Sequence, residues 1–567
     1  MSNQNKLELI WIGKNKMPPI ETRLLIENHK YSYSKENTSL FDSNISDNML
    51  IHGDNLLALK ALLKNYSKKI KCVYIDPPYN TGSAFEHYDD NVEHSTWLSL
   101  MSERLHLLKQ LLRDDGIIYI QIDDVEHAYL KVLCDEVFGR NNFITSITVK
   151  MSTPSGVKLS HRTKKILKVK EHILVYCKDK DLVRFNPQYF PKKEWDPYYE
   201  WYVDKIGEDV SKWKVYPLKQ ILEQHGIKVD RLEDLDISDP KVKRFYIDNA
   251  DKIWQRGRNT SIPKEILELS KNNWETVFEY GNGIDDIQYC YKGRRMAFLA
   301  NVIKECTNKD GSKTKDLGTL ICDLWDDIST AALFSEGKVD FPNGKKPETL
   351  IQRILDLSTN EGDLVLDSFL GSGTTCAVAH KMRRKWIGIE MGEHAFTHAK
   401  KRIDMVIDGI DQTGISKAVN WNGGGGYNFY ELAPTLIKMD YFGEPIINKE
   451  YHPEMLASAV ALHEGFTFSP DAECFWKQSR SNENAYLYVT TQYVSCELLK
   501  QIESQMAEDE YLIVACKAFD KNCLDYSKKI AIKKIPQMLL GKCVYDKDDY
   551  SLNIVNPPIY EGEEDYE

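Results

Sequence analysis

The residue types best suited to chemistry stand in one short stretch, VYIDPPYNTG at residues 73–82. A β-branched and aromatic run stops at Asp76 and is followed by Pro77, Pro78 and Tyr79. Proline cannot continue a central strand, so the predicted strand ends at Asp76. Because prolines donate no N–H, the turn presents a carboxylate and backbone carbonyls beside an aromatic ring. Such a pocket of acceptors suits a planar substrate that bears an amino group, such as adenine or cytosine.

A second stretch, LVLDSFLGSGTT at residues 364–375, has glycines where a predicted strand turns into a helix. Such a turn lets the backbone approach a ligand at the helix N-terminus. Glu390 ends the next predicted strand, where a dinucleotide-type fold presents an acid to ribose hydroxyls. Thr374, Thr375 and Cys376 follow the second glycine, so the third glycine of GxGxxG is absent. This favours a cofactor without a pyrophosphate, and an ordinary tight turn is the alternative for the GxG alone.

The segments around both stretches alternate between strand and helix, which predicts two halves of a parallel α/β sheet. In the first half, Ser95 is expected to cap a helix that Gly116 closes. The predicted elements of this half are the strand 49–54, the helix 55–65, the strand 69–75, the helix 96–112, and the strands 117–122 and 171–177. Those of the second half are the helix 345–358, the strand 364–367, the helix 374–382 and the strand 385–390.

A chain of 567 residues is too long for one hydrophobic core and predicts several domains. The glycine run NGGGG at 422–426 indicates a linker. The expected parts are an N-terminal extension (1–48), a first half of the core (49–180), an inserted domain (181–316), a second half of the core (317–420) and a small C-terminal α/β domain (427–567).

Composition excludes several classes of protein. The net charge of −11 argues against a protein that coats nucleic acid non-specifically, although a basic run between Lys158 and Lys170 leaves room for a local groove. No apolar run is long enough to span a membrane, and no signal peptide is evident, so a cytoplasmic location without membrane contact is expected. The 12 cysteines are scattered, which indicates neither a disulfide framework nor a metal site.

Taken together, the two motifs resemble those of DNA amino-methyltransferases in the permuted "beta" order. In that family a catalytic DPPY precedes an S-adenosylmethionine loop FxGSGT, here residues 369–374. DPPYNTG, GDN at 53–55 and KP at 346–347 resemble the Mod subunit of Type III restriction-modification systems. The resemblance covers residues 49–410, and more loosely extends to 533–540. It implies a Rossmann-like α/β methyltransferase sheet in permuted order with an inserted target-recognition domain.

The resemblance also implies roles for single residues. The catalytic turn is Asp76, Pro77, Pro78 and Tyr79, in which Asp76 and the Pro77 carbonyl accept hydrogen bonds from an adenine N6 amino group and Tyr79 stacks on the flipped-out base. An aromatic amine is a poor nucleophile, and two acceptors on its hydrogens favour a pyramidal nitrogen that attacks the sulfonium methyl in line. Extruding the base costs about a few kcal/mol, which stacking partly offsets.

The implied S-adenosylmethionine contacts come from four places in the chain. They are Asp54, Lys346, Asp367, Phe369, Gly371, Ser372, Gly373, Thr374 and Glu390. For two of these residues an ordinary structural role is a serious alternative. Asp54 fits a simple helix N-cap, and Lys346 fits a solvated surface lysine.

DNA contact is expected in the insertion and in the basic run before it. The insertion interleaves aromatic and basic residues, although such aromatics are more often core. The predicted DNA-binding residues are His161, Arg162, Lys164, Lys165, Arg256 and Arg258.

The sequence therefore predicts a site-specific adenine-N6 DNA methyltransferase that acts on double-stranded DNA, the modification subunit of a Type III-like system. N4-cytosine methylation is the alternative within the enzyme class. A recognition subunit that mainly targets a partner nuclease is the alternative outside it. No GxxxxGK[ST] motif occurs, so ATP-driven translocation would come from a partner such as a Res helicase-nuclease subunit. A homodimer is a further expectation.

Overall fold

The computed structural model describes residues 8–14, 19–35, 47–79, 90–152, 166–205, 207, 209–258, 262–281, 286–330, 333–341, 344–481, 483–524 and 526–550. Two compact units make up the chain. One unit combines residues 1–185 with residues 323–567, and the other is the continuous stretch from Asn186 to Cys322.

The strands, in chain order, are β1 Leu25–Glu27, β2 Tyr33–Lys35, β3 Met49–His52, β4 Ile70–Ile75, β5 Leu112–Ile122, β6 Phe143–Lys150, β7 Lys170–Cys177, β8 Tyr189–Pro191, β9 Trp201–Asp204, β10 Lys214–Pro217, β11 Ile253–Arg256, β12 Phe278–Tyr280, β13 Gln288–Tyr291, β14 Arg294–Phe298, β15 Ile303–Thr307, β16 Lys313–Leu320, β17 Leu324–Trp325, β18 Leu364–Asp367, β19 Lys385–Glu390, β20 Gly425–Leu432, β21 Ile437–Met439, β22 Pro445–Ile447, β23 Thr467–Phe468, β24 Ser479–Arg480, β25 Ala485–Val494, β26 Tyr511–Phe519 and β27 Ile530–Lys534.

The α-helices are α1 Asn55–Tyr66, α2 Asp90–Leu111, α3 Asp124–Cys134, α4 Leu218–Gln224, α5 Pro240–Asp248, α6 Lys264–Asn272, α7 Glu348–Ser358, α8 Thr374–Lys381, α9 Lys401–Ile407, α10 Pro453–Glu464 and α11 Cys496–Glu503. A π-helical segment, Ala395–Lys400, leads directly into α9.

One large mixed sheet organises the first unit. Its strand order is β1-β20-β3-β19-β18-β4-β5-β7-β6-β17, with β2 paired to β20. The strands from β20 to β5 run parallel to one another, and β7 runs antiparallel between β5 and β6. This sheet confirms the predicted Rossmann-like arrangement. The strands of the second half, β18 and β19, lie between β3 and β4 of the first half.

The parallel strands carry their acidic residues to the same edge of the sheet. Asp76 follows β4, Asp367 ends β18 and Glu390 ends β19. β18 lies between β4 and β19 in the sheet. From β18 the chain crosses over to β19 on one side, whereas from β4 it crosses over to β5 on the other side. Strand order therefore reverses between β18 and β4, and ligands of open α/β sheets bind at the carboxyl edge of such a switch point.

Helices cover both faces of this sheet because alternate side chains of its strands point to opposite sides. Val73 and Ile75 of β4 join a buried cluster with Leu59 of α1 and Met101 of α2. Cys72 lies on the other face, where the Ser358 hydroxyl of α7 contacts its sulfur at 3.6 Å. Helices therefore pack against β4 from both faces of the sheet.

Most predicted elements of this unit are confirmed, and three expectations are wrong. α2 begins at Asp90, before Ser95. Gly116 does not close that helix, since it lies within β5, where an added Cβ would meet the Ile70 carbonyl oxygen at 2.9 Å. The expected linker 422–426 is not one either, because β20 begins at Gly425 and pairs with β3 inside the sheet.

The unit Asn186–Cys322 has its own sheets and cores. β10, β9, β11, β14, β13 and β12 form an antiparallel sheet, and β8, β15 and β16 form a small closed barrel. Trp195, Tyr199, Tyr202 and Trp254 are buried in its cores. The alternative reading of these aromatics as core residues is therefore confirmed, while Tyr198 is exposed.

The C-terminal part of the first unit contains a strand-helix-strand arrangement. β25 and β26 are parallel and flank α11 in the chain, within the sheet β23-β24-β25-β26-β27. None of the helices in the described parts of the chain is long and apolar enough to cross a membrane.

Candidate active site

Four charged or hydroxyl side chains meet at the end of β4, and we call Asp76, Tyr79, Glu171 and Lys346 the acceptor cluster. The Tyr79 hydroxyl lies 2.8 Å from Asp76 Oδ1 and 2.8 Å from Glu171 Oε2. Lys346 Nζ lies 3.2 Å from Asp76 Oδ2, 3.2 Å from Glu171 Oε2 and 3.1 Å from the Tyr79 hydroxyl. Two carboxylates thus share one ammonium and one phenol.

Three separate segments deliver these side chains. Asp76 and Tyr79 come from the turn after β4, Glu171 from the start of β7, and Lys346 from the residues just before α7. The turn itself is fixed because Trp97 Nε1 of α2 donates to the Pro78 carbonyl at 2.8 Å. The backbone of the predicted Asp-Pro-Pro-Tyr turn is therefore anchored to α2.

The pKa values of the two carboxyl groups in the acceptor cluster shift in opposite directions. Burial raises the pKa of Asp76, and although Lys346 lowers it, the charge of Glu171 raises it again, so the net shift is upward. Burial also raises the pKa of Glu171, but Lys346 and hydrogen bonds from Gln121 and Tyr79 outweigh it, so the net shift is downward. Glu171 therefore holds the negative charge, and Asp76 takes up a proton more readily.

Lys346 is part of this cluster and is not the solvated lysine that the sequence allowed. Only 6% of its side chain is exposed. Its contacts with Asp76 and Glu171 place it beside the expected catalytic turn. The same contacts hold Tyr79, whose ring is buried and whose centroid lies 5.2 Å from Lys346 Nζ. Stacking of Tyr79 on a base stays a prediction.

Two carboxylates shape the segment from Phe369 to Thr374, which we call the glycine loop. Asp367 Oδ1 accepts from the Phe369 amide at 2.9 Å, and its Oδ2 accepts from the Thr375 hydroxyl at 2.6 Å. Burial raises the pKa of Asp367 to about 7. Glu390 Oε2 accepts from the Gly371 amide at 2.7 Å. The three predicted positions Asp367, Gly371 and Glu390 are thus brought together.

The glycines of the loop are needed for its path. Gly371 has φ +54° and Gly373 has φ +83°, a left-handed region that disfavours other residues. A Cβ on Gly373 would lie 3.0 Å from Ala399 Cα in the segment Ala395–Lys400. The loop therefore rests directly on that segment, and Phe369 packs against the core.

The hydroxyls of the glycine loop face the protein interior. Ser372 Oγ and Thr374 Oγ1 lie 3.1 Å apart, and both residues are buried. Arg402 Nη1 of α9 donates to Thr374 Oγ1 at 2.7 Å. Contact of these two side chains with a cofactor stays a prediction, since the hydroxyl of Thr374 already has a protein partner.

Asp54 serves as the N-cap of α1, the alternative considered for it. Its Oδ1 accepts from the amides of Leu56 and Leu57 at 2.9 and 3.1 Å. Its Oδ2 accepts from the Tyr550 amide at 3.0 Å, which ties down the end of the described chain. The role of Asp54 as a cofactor contact stays a prediction.

The predicted DNA-binding residues fall into two groups. His161, Arg162, Lys164 and Lys165 lie outside the described residues. Arg256 and Arg258 lie in the unit Asn186–Cys322, where both are exposed. The Arg256 guanidinium lies 5.2 Å from the ring centroid of Trp201, so an exposed cation and an aromatic ring do meet there.

Sequence reasoning missed two positions with evident roles, Glu171 and Arg402. Glu171 stands two residues before the apolar run 173–177 of β7, which was a signal that could have marked it. Arg402 lies in a polar helix end and gave no comparable signal. The described residues contain no group of three or more histidine, cysteine, aspartate or glutamate side chains that could hold a metal ion.

Comparison with known proteins gives a consistent set of relatives. A family described as DNA methylase matches residues 70–401 of this chain. The Mod subunit of the probable type III restriction-modification enzyme HindVI from Haemophilus influenzae is 40% identical over 425 residues, covering 69% of this chain and 55% of that protein. The EcoPI Mod subunit of Escherichia phage P1, a Type III restriction-modification enzyme, is 28% identical over 430 residues, covering 67% of this chain and 62% of that protein.

A Type II methyltransferase, M.HpaI of Haemophilus parainfluenzae, is 43% identical over 368 residues, with 64% of this chain and 77% of that protein covered. The chain spans 55% of the HindVI and 62% of the EcoPI subunit, less than two thirds of either.

Proposed function

The chain belongs to the DNA methylase family, and on this premise we propose that it is a site-specific DNA methyltransferase. It would transfer a methyl group from S-adenosylmethionine to adenine N6 of a flipped-out base in double-stranded DNA. The observation that carries the proposal is the switch point, because Asp76 and Asp367 end neighbouring parallel strands at the same carboxyl edge. An amine acceptor and a cofactor loop at one switch point can bring two substrates together.

The acceptor cluster suits the amine. Asp76 Oδ2 and the Pro77 carbonyl offer acceptors for the two hydrogens of an exocyclic amino group, and 18% of the Asp76 side chain is exposed. Lys346 and Tyr79 hold the carboxylate from its inner side, which fixes its direction. Two directed acceptors draw the nitrogen lone pair out of conjugation, so that it can attack in line.

The same cluster handles the proton of the reaction. As the N–CH3 bond forms and the S–CH3 bond breaks, the nitrogen gains a positive charge and must lose one hydrogen as a proton. Asp76 already accepts a hydrogen bond from that group, and its raised pKa makes it the better proton acceptor of the two carboxyl groups. Glu171 keeps its charge and holds Lys346 and Tyr79 in place.

The glycine loop suits the cofactor, which supplies an activated methyl on a positively charged sulfur. Asp367 and Glu390 offer carboxylates near a loop whose glycines expose backbone, and this donor set fits a cationic nucleoside without a pyrophosphate. Gly371, Gly373 and Phe369 would line the space. Ser372 and Thr374 would stabilise the loop from within.

We assign target recognition to the unit Asn186–Cys322. It has a separate core and presents Arg256 on Trp201 with Arg258 nearby in sequence, a combination suited to phosphate and base contact. His161, Arg162, Lys164 and Lys165 would add phosphate contacts. The names of two relatives as Mod subunits support a modification subunit that works with a Res partner, and a homodimer fits the same role.

Modification of a host genome tests the function. The genome of a host that expresses the protein should contain N6-methyladenine at one recurrent sequence, and a host without the protein should lack it. N4-methylcytosine at a recurrent sequence would establish the alternative base. Absence of either modification, with purified protein that also fails to label duplex DNA, would contradict a methyltransferase.

Exchange of the segment 186–322 with that of a related enzyme tests the assignment of recognition. The chimera should methylate a different sequence but the same atom, because base readout belongs to groove contacts and atom choice to the acceptor cluster. An active chimera that still methylates the parental sequence would contradict this division.

A further inference from the structure

A second set of charged side chains lies behind the glycine loop, and we call Glu348, Lys381, Arg402 and Asp411 the buried ion cluster. Lys381 Nζ lies 2.8 Å from Glu348 Oε2 and 2.7 Å from Asp411 Oδ2. Arg402 Nη2 lies 2.7 Å from Glu348 Oε1. All four side chains are 0% exposed, so none of them can meet a ligand directly.

Arg402 connects this cluster to the glycine loop. Its Nη2 is fixed by Glu348, and its Nη1 donates to Thr374 Oγ1 at 2.7 Å and lies 3.5 Å from Ser372 Oγ. The guanidinium is planar and rigid, so fixing one end of it fixes the direction of the other. The loop hydroxyls are thereby held from the protein interior.

The Arg402–Glu348 ion pair also links the glycine loop to the acceptor cluster. Glu348 is the first residue of α7 and stands two positions after Lys346, which contacts Asp76. Its backbone amide donates to Glu336 Oε2 at 2.9 Å, which secures the start of the helix. A shift of Arg402 would therefore reach both the loop and the segment that carries Lys346.

We propose that Arg402, anchored by Glu348, is a positioning residue for the cofactor: it holds the glycine loop in its binding conformation through Thr374. This inference deepens the proposed function and rests on it. Arg402 touches no reacting atom, so its replacement should weaken cofactor binding more than it slows the transfer step.

The test uses the full-length protein and measures the affinity for S-adenosylmethionine and S-adenosylhomocysteine by calorimetry. Arg402→Lys keeps the charge but loses the two-ended hydrogen bonding, and it should raise both Kd values by about 10- to 100-fold. The KM for S-adenosylmethionine should rise in parallel, while kcat at saturating cofactor should change by less than about threefold.

A matched control is Asp411→Asn. This residue is as buried as Arg402, and its carboxylate binds Lys381 and accepts hydrogen bonds from the amide and hydroxyl of Thr413. The variant should be less stable to urea but should keep the wild-type cofactor affinity. If Asp411→Asn weakened binding as strongly as Arg402→Lys, the effect would belong to general stability and the inference would be wrong.

A second variant keeps the ion cluster intact. Thr374→Val removes the acceptor on the loop side, and it should weaken cofactor binding by a similar factor. Arg402→Lys and Thr374→Val both break the same Arg402–Thr374 contact. The double variant should therefore bind the cofactor no more weakly than whichever single variant binds it less tightly. Additive losses would overturn the pathway through Thr374.

The remaining outcomes separate the inference from the function. Wild-type affinity in folded Arg402→Lys would refute the positioning role alone and leave the methyltransferase standing. Failure of the wild-type protein to bind either compound would refute the proposed function, and the inference with it.

Discussion

Lys346 and Glu348 stand two residues apart, yet they belong to two charged clusters with different surroundings. In the acceptor cluster, Asp76 keeps 18% of its side chain exposed. In the buried ion cluster, Glu348 and its cationic partners are 0% exposed. The same residue types therefore serve two purposes in one unit of the protein. An ion pair open to solvent on one side can meet a substrate, and a sealed one can only hold backbone in place.

Charge balance separates the two clusters further. The buried ion cluster has two acids for two bases, which is the condition under which buried charges are tolerated. The acceptor cluster has two acids for one base, so one carboxyl group must be the easier to protonate, and that group is Asp76. In the proposed reaction, this imbalance would make Asp76 the proton acceptor.

The largest expected effect is a loss of stability when the charges of the buried ion cluster no longer balance. Glu348→Ala leaves Lys381 and Arg402 with fewer acids in a sealed site and should lower the free energy of unfolding by about 3–5 kcal/mol. Urea unfolding followed by circular dichroism measures it. Glu171→Gln, in the more open cluster, should cost clearly less, and an equal loss would mean that the two clusters do not differ in this way.

The next effect concerns the packing of the glycine loop against Ala399. Gly373→Ala would place a Cβ 3.0 Å from Ala399 Cα at φ +83°, so the loop must lift, and cofactor affinity should fall by about tenfold or more. Gly362→Ala is the matched control, since Gly362 has the same φ of +83° and open space around it. Calorimetry should show weaker binding only for Gly373→Ala. Equal affinities in both folded variants would mean that packing of the loop against Ala399 does not affect cofactor binding.

Gly373→Val should abolish binding by displacing the loop. The nearest obstacle to a side chain at this position is the backbone of Ala399, which lies on the protein side of the loop.

A smaller effect is a shift in pH dependence. Glu171 raises the pKa of Asp76 and Lys346 lowers it, so Glu171→Gln should lower the pKa of Asp76. Transfer that needs ionised Asp76 increases as pH rises through this pKa, and the acid limb of the kcat profile should therefore move to lower pH in the variant. Its kcat should also fall, because Tyr79 and Lys346 lose a partner. Glu126→Gln, at a buried acid that contacts His94, is the control and should leave the profile unmoved.

The parts of the site that the sequence predicts are the local ones. Asp76 ends a strand because two prolines follow it, and Gly371 and Gly373 mark a turn because of their backbone freedom. Glu171 and Lys346 join Asp76 only through the pairing of β7 with β5 and the position of α7, which no local pattern contains. Their partnership could not be predicted from spacing along the chain.

The misread linker has a similar cause. The glycines at 423–426 indicate flexibility when they are considered alone. In the fold, His380 Nε2 contacts the Gly424 carbonyl at 2.9 Å, and a Cβ on Gly425 would meet the same ring atom at 3.0 Å. The glycines therefore allow close packing at the start of β20, and tertiary pairing with β3 overrides the local signal.

The central claim is that Asp76 accepts the amine while the glycine loop binds the cofactor. The most direct test is Asp76→Ala in the full-length protein, with methyl transfer to duplex DNA and S-adenosylmethionine affinity measured on the same preparation. Transfer should fall by at least about 100-fold, and affinity should stay within about threefold of wild type. Near-normal transfer by the folded variant would contradict the account.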